Sequence, residues 1–320
     1  MKILAIQNRM GIGDTIIFLP FIKALSKKFN SPISLLVKEN SKADQYLFET
    51  EYIDEILILK RDIKLDNRHG GIFGFFNLIK DIKKYNFEKI IIFNSSFRYY
   101  LVAKFSGISE LYQYPLFKKT KQHIVNTPRE FMKSKLKLDV NEDPEIQINE
   151  RLVADTINKF QMNKNELNIL LGIGGSGPTK RIPASTFLNL IKKILNFKKC
   201  KFFLATGKSE GEQNILEKIL GSEFKNYCIP LDNLTIKETL PIIKNCNLSV
   251  CNDSSFSHLS AALGIKTITL MADTPIIYGN YNSKMFPIIP DGEETVTHNT
   301  LGKDKINSEK ILNKIFEILN

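Results

Sequence analysis

Short apolar runs rich in β-branched and aromatic residues alternate along this chain with longer stretches whose apolar positions recur at helical spacing. In the first half, 2–7, 33–37, 55–59 and 89–93 predict strands, and 15–29, 42–50 and 73–85 predict helices. The second half repeats the scheme. Residues 168–172, 201–205, 248–251 and 267–271 predict strands; 184–195, 210–220, 236–244 and 255–263 predict helices. Strands alternating with helices form βαβ units around a parallel sheet. Two such series predict an α/β protein with two doubly wound domains.

The junction falls in the polar stretch 139–150, followed by a helix near 151–161 and the polar Asn163-Lys164-Asn165-Glu166. The predicted domains are therefore 1–155 and 156–320. A hinge there leaves a cleft between the carboxyl ends of the two sheets, where open α/β sheets bind ligands. Residues 308–319 are apolar at helical spacing and predict a closing helix, capped by Asn307 or Ser308. Neither a short solenoid-type repeat nor an extended low-complexity tract interrupts the pattern.

Composition adds boundaries. At 43% hydrophobic and 25% charged, the chain has the make-up of a soluble protein with full-sized cores. No apolar run reaches the roughly 18 residues of a spanning helix. The apolar N-terminal run breaks at Asn8-Arg9 without a small-residue cleavage site, so it reads as a strand and not a signal peptide. A cytoplasmic protein is expected. Cys200, Cys228, Cys246 and Cys251 form no C-x-x-C pair and read as reduced core residues. His69, His123, His258 and His298 are scattered, so spacing argues for no metal site. The net charge of +11, from 45 basic and 34 acidic residues, favours an anionic partner such as nucleic acid, acidic lipid or a phosphorylated substrate. The same charge arises from a Lys-rich composition alone, because the lysines form no dense tract.

Three motifs carry candidate chemistry. Gly11-Ile12-Gly13-Asp14 follows the first strand and opens a helix, with Pro20 six residues on. Ile16 stands where a dinucleotide fingerprint has its third glycine. Asp14 reads either as a helix N-cap or as a carboxylate positioned to act as a general base. The second motif is Gly172-Ile173-Gly174-Gly175-Ser176-Gly177-Pro178-Thr179-Lys180-Arg181-Ile182-Pro183. Glycines let backbone N–H groups approach an oxyanion, and Lys180 and Arg181 neutralise it. No Ser or Thr follows the cations, so this is no Walker P-loop; the bland alternative is a surface loop. In the third, Asp253-Ser254-Ser255 opens a helix that contains His258 and closes at Gly264. Its N–H groups, helix dipole and hydroxyls suit an anion, and they equally suit plain capping. His258 reads more readily as a structural histidine than as a catalyst.

Together these motifs resemble glycosyltransferase family 9, the bacterial heptosyltransferases. The family has a G-D-x-x-x-x-x-P element, a K-R-W-P-like element, a D-S/T-G-x-x-H-x-x-A-A element and a closing G-x-T-x-P. Gly13-Asp14 with Pro20, Lys180-Arg181-Ile182-Pro183, and Asp253-Ser254 with His258, Ala261 and Ala262 match in order and spacing. Ala272-Asp273-Thr274-Pro275 and then Tyr278-Gly279-Asn280-Tyr281 correspond to the last element, and His123-Ile124-Val125 resembles a short element midway. Ile182 replaces the usual Trp, and Ser255 and Ala272 replace glycines. These departures bear on the donor sugar more than on the reaction.

The resemblance implies a GT-B fold, two Rossmann-like domains facing across a cleft. It implies an inverting transfer of a sugar, a heptose from ADP-heptose, to a lipopolysaccharide core or similar anionic glycan. Asp14 would be the general base. Gly13, Gly174, Gly175, Ser176, Lys180, Arg181, Asp253, Ser254, Ser255 and His258 would serve the donor phosphates and sugar. Glu212 is a candidate for the ribose, with Glu210 close behind. The chain has no D-x-D motif, and Lys180 with helix termini could replace a metal, so neither metal nor cofactor is expected. A basic protein suits the cytoplasmic membrane surface. A sugar-nucleotide epimerase of the same fold, or a non-catalytic binder of sugar nucleotide or nucleic acid, is the alternative; no aromatic-basic nucleic-acid module is recognisable.

Overall fold

Polar Asn8 and Asn94 stop the first and fourth strands of the N-terminal half, and Asn94 Nδ2 donates to Asn8 Oδ1 at 3.2 Å. Around that point a sheet is wound in a computed structural model that describes residues 1–61, 67–116, 123–163 and 165–319. Lys164, in the polar stretch noted above, lies outside the described residues.

The chain divides into two compact units, Met1–Gln147 and Ile148–Asn320. The first contains β1 (Ile3–Ile6), α1 (Ile12–Phe29), β2 (Ile33–Lys38), β3 (Ile53–Leu59), α2 (Gly71–Lys83), β4 (Lys89–Ile92), α3 (Phe97–Phe105), β5 (Glu110–Gln113) and α4 (Asn126–Leu136). Its strands are all parallel, in the order β3-β2-β1-β4-β5. The central strand Ile3-Leu4-Ala5-Ile6 is apolar throughout and buried on both faces, as a parallel sheet covered by helices requires. Strand order reverses between β1 and β4, so the loops after them open at the switch point.

The second unit contains α5 (Glu150–Lys159), β6 (Leu167–Gly172), α6 (Ala184–Leu195), β7 (Cys200–Ala205), α7 (Glu210–Leu220), β8 (Cys228–Pro230), α8 (Ile236–Lys244), β9 (Leu248–Asn252), α9 (Ser255–Ala262), β10 (Thr267–Leu270), β11 (Met285–Ile288) and α10 (Ser308–Leu319). Its parallel sheet runs β11-β10-β9-β6-β7-β8. The reversal here lies between β9 and β6. Helices α6 and α10 cover one side of the core, burying Phe187, Leu190, Ile191, Ile311 and Ile315. Asn307 is the cap of α10, since its Oδ1 accepts from Glu309 N at 2.9 Å; Ser308 Oγ instead accepts from Asn189 of α6 at 2.8 Å.

Several elements differ from the sequence expectation. Residues 42–50 form no α-helix. Two 3-10 turns, Glu39–Ser41 and Ala43–Gln45, flank Lys42, whose φ of +48° breaks any continuous helix. Strands β5, β8 and β11 and helices α3 and α4 are additional. Strands β8 and β11 are edges of their sheet and contain Pro230 and Pro287; a missing N–H is tolerated on an edge, which is why the prolines mislead. Helix α4, Asn-Thr-Pro-Arg-Glu-Phe-Met-Lys-Ser-Lys-Leu, is polar, with only Pro128, Phe131, Met132 and Leu136 buried. All four cysteines are buried and unpaired, matching the reduced-core reading, and burial pushes the Cys251 thiol up to about 12.

Candidate active site

In the second unit, the strand reversal brings the glycine-rich loop after β6 beside the start of α9 after β9. Asn252 fastens them together. Its Nδ2 donates to Ile173 O at 2.8 Å and to Gly174 O at 3.1 Å. The loop bends tightly because its glycines leave room. A Cβ on Gly174 would lie 2.6 Å from Glu212 Oε1 and 2.9 Å from Thr206 Oγ1.

Glu212 is the internal template of this loop. It accepts from Gly175 N at 2.9 Å, Gly207 N at 3.2 Å and Ser209 Oγ at 2.6 Å, and it completes the capping box of α7. Burial pushes its carboxyl up, but these donors more than offset that and hold it below the usual range. Glu210, at the first position of α7, is exposed. Arg181 also braces the loop. Its Nε donates to Gly175 O at 2.8 Å, and its guanidinium lies so close over Gly211 that a Cβ there would be 2.3 Å from Nη1. Ser176 is exposed at the loop tip. Ile182 is fully buried among Phe187, Leu190 and their neighbours, so the residue in the family's Trp position is part of the core.

Lys180 ends a 3-10 turn, Pro178–Lys180, and its Nζ lies 2.7 Å from Asp253 Oδ2. Asp253 is only 6% exposed. Burial raises its carboxyl, but Lys180 first and His258 next more than offset this, so its pKa falls below the ordinary value. Ser254 is the N-cap of α9 with no side-chain cap bond, and its Oγ is buried without a hydrogen-bond partner. Ser255 begins the helix and is half-buried. A hydroxyl without a partner among the described residues, the N-terminus of α9 and the Lys180 ammonium on Asp253 thus lie at one strand-to-helix turn. That is the chemistry of an oxyanion site.

His258 is buried one turn into α9. Its Nδ1 lies 2.7 Å from Tyr281 Oη, the two rings stack at 5.6 Å, and its Nε2 is 3.9 Å from Asp253 Oδ1. Burial pushes its pKa from 6.5 down to about 4; Lys180 acts in the same direction and Asp253 against it. In the unfolded chain the imidazole titrates near 6.5, so between these values the unfolded state binds more protons. Stability therefore falls as pH falls through this window. Chemical denaturation at pH 7 and 5 should show a loss on the order of 2 kcal/mol from this group. His258→Asn should remove most of that slope, and equal slopes in parent and variant would refute the assignment.

In the first unit, Gly11 is the N-cap of α1, with φ +98° and no side-chain cap bond. Asp14 is therefore not the N-cap, contrary to the capping reading. It stands at the third helical position, in the first turn, half-buried, with its backbone O accepting from Gln7 Nε2 at 3.3 Å. Gly13 precedes it in the same turn, so Gly13 and Asp14 belong to the N-terminal unit while the other candidates belong to the C-terminal unit. His123 Nδ1 accepts from Asn126 N at 3.0 Å and helps to start α4. Among the described residues, no group of three His, Cys, Asp or Glu is arranged to hold a metal ion. The sequence pattern does not mark Asn252, and it marks Tyr281 only as part of the stretch that resembles the family's last element. Asn252 is the last residue of the buried strand β9, and Tyr281 is 23 positions from the His258 it pairs with, so local spacing shows neither contact.

The model of glycosyltransferase family 9 (heptosyltransferase) matches residues 90–288, from β4 to the end of β11. This chain belongs to glycosyltransferase family 9. The lipopolysaccharide heptosyltransferase 1 of Campylobacter coli is 28% identical over 178 residues, 53% of this chain and 52% of that protein. In that alignment the family 9 chain spans about half the relative's length. The lipooligosaccharide heptosyltransferase 2 of Campylobacter jejuni is 25% identical over 309 residues, 89% of this chain and 93% of the relative. The E. coli ADP-heptose lipopolysaccharide heptosyltransferase II shares the fold, with a TM-score of 0.75 at 19% identity over 100% of this chain and 98% of that one. The family 9 glycosyltransferase thus has the GT-B class of fold, built from two parallel α/β units. The family match includes the Lys180 loop, Asp253 and His258, whereas Gly13 and Asp14 lie before it.

Proposed function

We propose that this family 9 glycosyltransferase moves a heptose from ADP-heptose to a lipopolysaccharide core or a similar anionic glycan, inverting the anomeric centre. The observation that carries the donor half is the junction of the glycine-rich loop, Lys180 and the start of α9 at one switch point. The relatives' names supply the sugar and acceptor class. An acceptor hydroxyl attacks the anomeric carbon as the bond to the β-phosphate oxygen breaks, and that oxygen keeps the bonding electrons. Asp14 takes the hydroxyl proton. Charge grows on the departing diphosphate, where Lys180 and the N–H groups of α9 stabilise it more than they stabilise the bound donor. Glu212, Arg181 and Asn252 hold the loop in shape, and a ribose contact by Glu212 would use oxygens that also serve this role. The nucleotide is a consumed substrate, so the enzyme needs no resident cofactor. We place it in the cytoplasm, at the inner membrane face where a lipid-linked acceptor would lie.

The test is direct. Purified protein with ADP-heptose and a delipidated core acceptor should release ADP and yield an acceptor heavier by one heptose in mass spectrometry. An altered free sugar nucleotide without transfer would point to an epimerase instead. The same assay addresses metal. With Lys180 and helix N–H groups carrying the leaving charge, turnover should persist within about twofold in excess EDTA. Loss restored by magnesium or manganese would overturn that account.

A further inference from the structure

The outward face of α2 is apolar where an exposed helix is ordinarily polar. Ile72, Phe73 and Phe76 are 77%, 86% and 61% exposed. On α3, Phe97 and Phe105 are 46% and 59% exposed. The two helices form one surface. The Phe75 ring lies 5.3 Å from Phe76 and 6.2 Å from Phe105. Arg98 donates to Gly71 O at 2.8 Å and holds its guanidinium 5.5 Å over Phe75. Single exposed apolar side chains are normal, but five large ones on two packed helices form a patch that marks an interaction site.

The same face carries cations. Positions 72, 76, 80 and 83–84 follow one another along a helix face, so the apolar start of α2 continues into exposed Lys80, Lys83 and Lys84. Lys104 on α3 is exposed, with its Nζ 5.9 Å from the Tyr100 ring centre. Helix α3 has no carboxylate. The one carboxylate of α2 is Asp81, which Arg68 and Lys84 already engage at 2.7 and 2.9 Å. Protein interfaces deplete lysine, whereas apolar anchors beside a cluster of lysines are what an anionic bilayer selects.

We propose that the α2–α3 face of the N-terminal unit docks on an anionic lipid bilayer. Ile72, Phe73, Phe76, Phe97 and Phe105 enter the interface, and Lys80, Lys83 and Lys104 meet lipid phosphates. This deepens the proposed function, and it rests on the lipid-linked acceptor in that reading. Docking would concentrate the enzyme where such an acceptor is anchored.

Co-sedimentation reads the docking without any sugar transfer. The full chain should bind vesicles of phosphatidylcholine with phosphatidylglycerol, bind pure phosphatidylcholine weakly, and lose affinity as salt rises. Phe73→Ser with Phe76→Ser should weaken partition at least tenfold. Lys80→Gln with Lys83→Gln should weaken it about 25-fold, since each lysine near a charged surface is worth about fivefold. Both variants should keep the parent's melting temperature, ADP binding and transfer to a water-soluble acceptor. Absence of binding to the anionic vesicles, or undiminished binding by both variants, would overturn the proposal. So would a dimer in light scattering that Phe73→Ser with Phe76→Ser abolishes, because the face would then belong to a second copy. If transfer fails while vesicle binding holds, the proposed function falls and the docking face stands.

Discussion

Asp14→Asn should leave a folded protein that binds ADP as the parent does and transfers sugar roughly 10²–10⁴-fold more slowly. The expectation rests on where the carboxylate stands. Gly11 is the N-cap of α1, and Asp14 stands at the third helical position, in the first turn. An acidic residue in the first turn still gains from the helix dipole, by about 0.3–1 kcal/mol. Asn forfeits that gain but keeps the side chain's shape and its amide oxygen as an acceptor, so the fold should survive with a modest fall in melting temperature. Asn cannot accept the hydroxyl proton, so a base role predicts loss in the chemical step alone. The measurement is turnover, ADP affinity by calorimetry and melting temperature on parent and variant. A variant that transfers at the parental rate would reduce Asp14 to a helix-dipole residue. A variant that loses ADP affinity as well would place the carboxylate in donor binding instead.

Much of this was legible in the sequence because parallel strands buried on both faces are nearly continuous apolar runs. β1, β2, β6, β7, β9 and β10 are such runs, and the helices that cover them are amphipathic. Three of the four edge strands carry no such signal; β3, with its apolar Ile-Leu-Ile-Leu end, is the exception. β5 is Glu-Leu-Tyr-Gln and half exposed, and β8 and β11 contain proline. The glycine-rich loop and Lys180 were visible because glycine and adjacent cations are rare in that pattern. What the side chains do there was less visible. Arg181 beside Lys180 looks like a second phosphate ligand, yet it braces Gly175. Glu212 looks like a ribose ligand, yet its oxygens shape the loop that would hold the phosphates. Both roles depend on which backbone groups come within 3 Å after folding, and no one-dimensional spacing encodes that. Asp253, next to two serines, reads as part of an anion site. Its partner Lys180 is 73 residues away and is brought to it only by the reversal of strand order.

That pairing makes Lys180→Ala the second variant with a large expected effect. Removing the ammonium takes a fixed positive charge from the leaving diphosphate. Loss of one such pre-organised donor costs about 10²–10³ in turnover, and ADP affinity should fall by at least tenfold with it. The substitution also leaves Asp253 buried without its cation. For a fully enclosed pair that costs roughly 3–5 kcal/mol; here Lys180 is about a quarter exposed (24%), so a smaller loss is expected. Stability and chemistry can be separated by removing both charges. Lys180→Ala combined with Asp253→Asn no longer strands a buried carboxylate, so most of the lost stability should return. Turnover and ADP affinity should not return, because the cation is still missing. The measurement is denaturant stability, ADP calorimetry and transfer rate on the parent, the single variant and the double variant. If the double variant recovers ADP affinity along with stability, Lys180 acts only by balancing Asp253, and the leaving phosphate must be neutralised by another group.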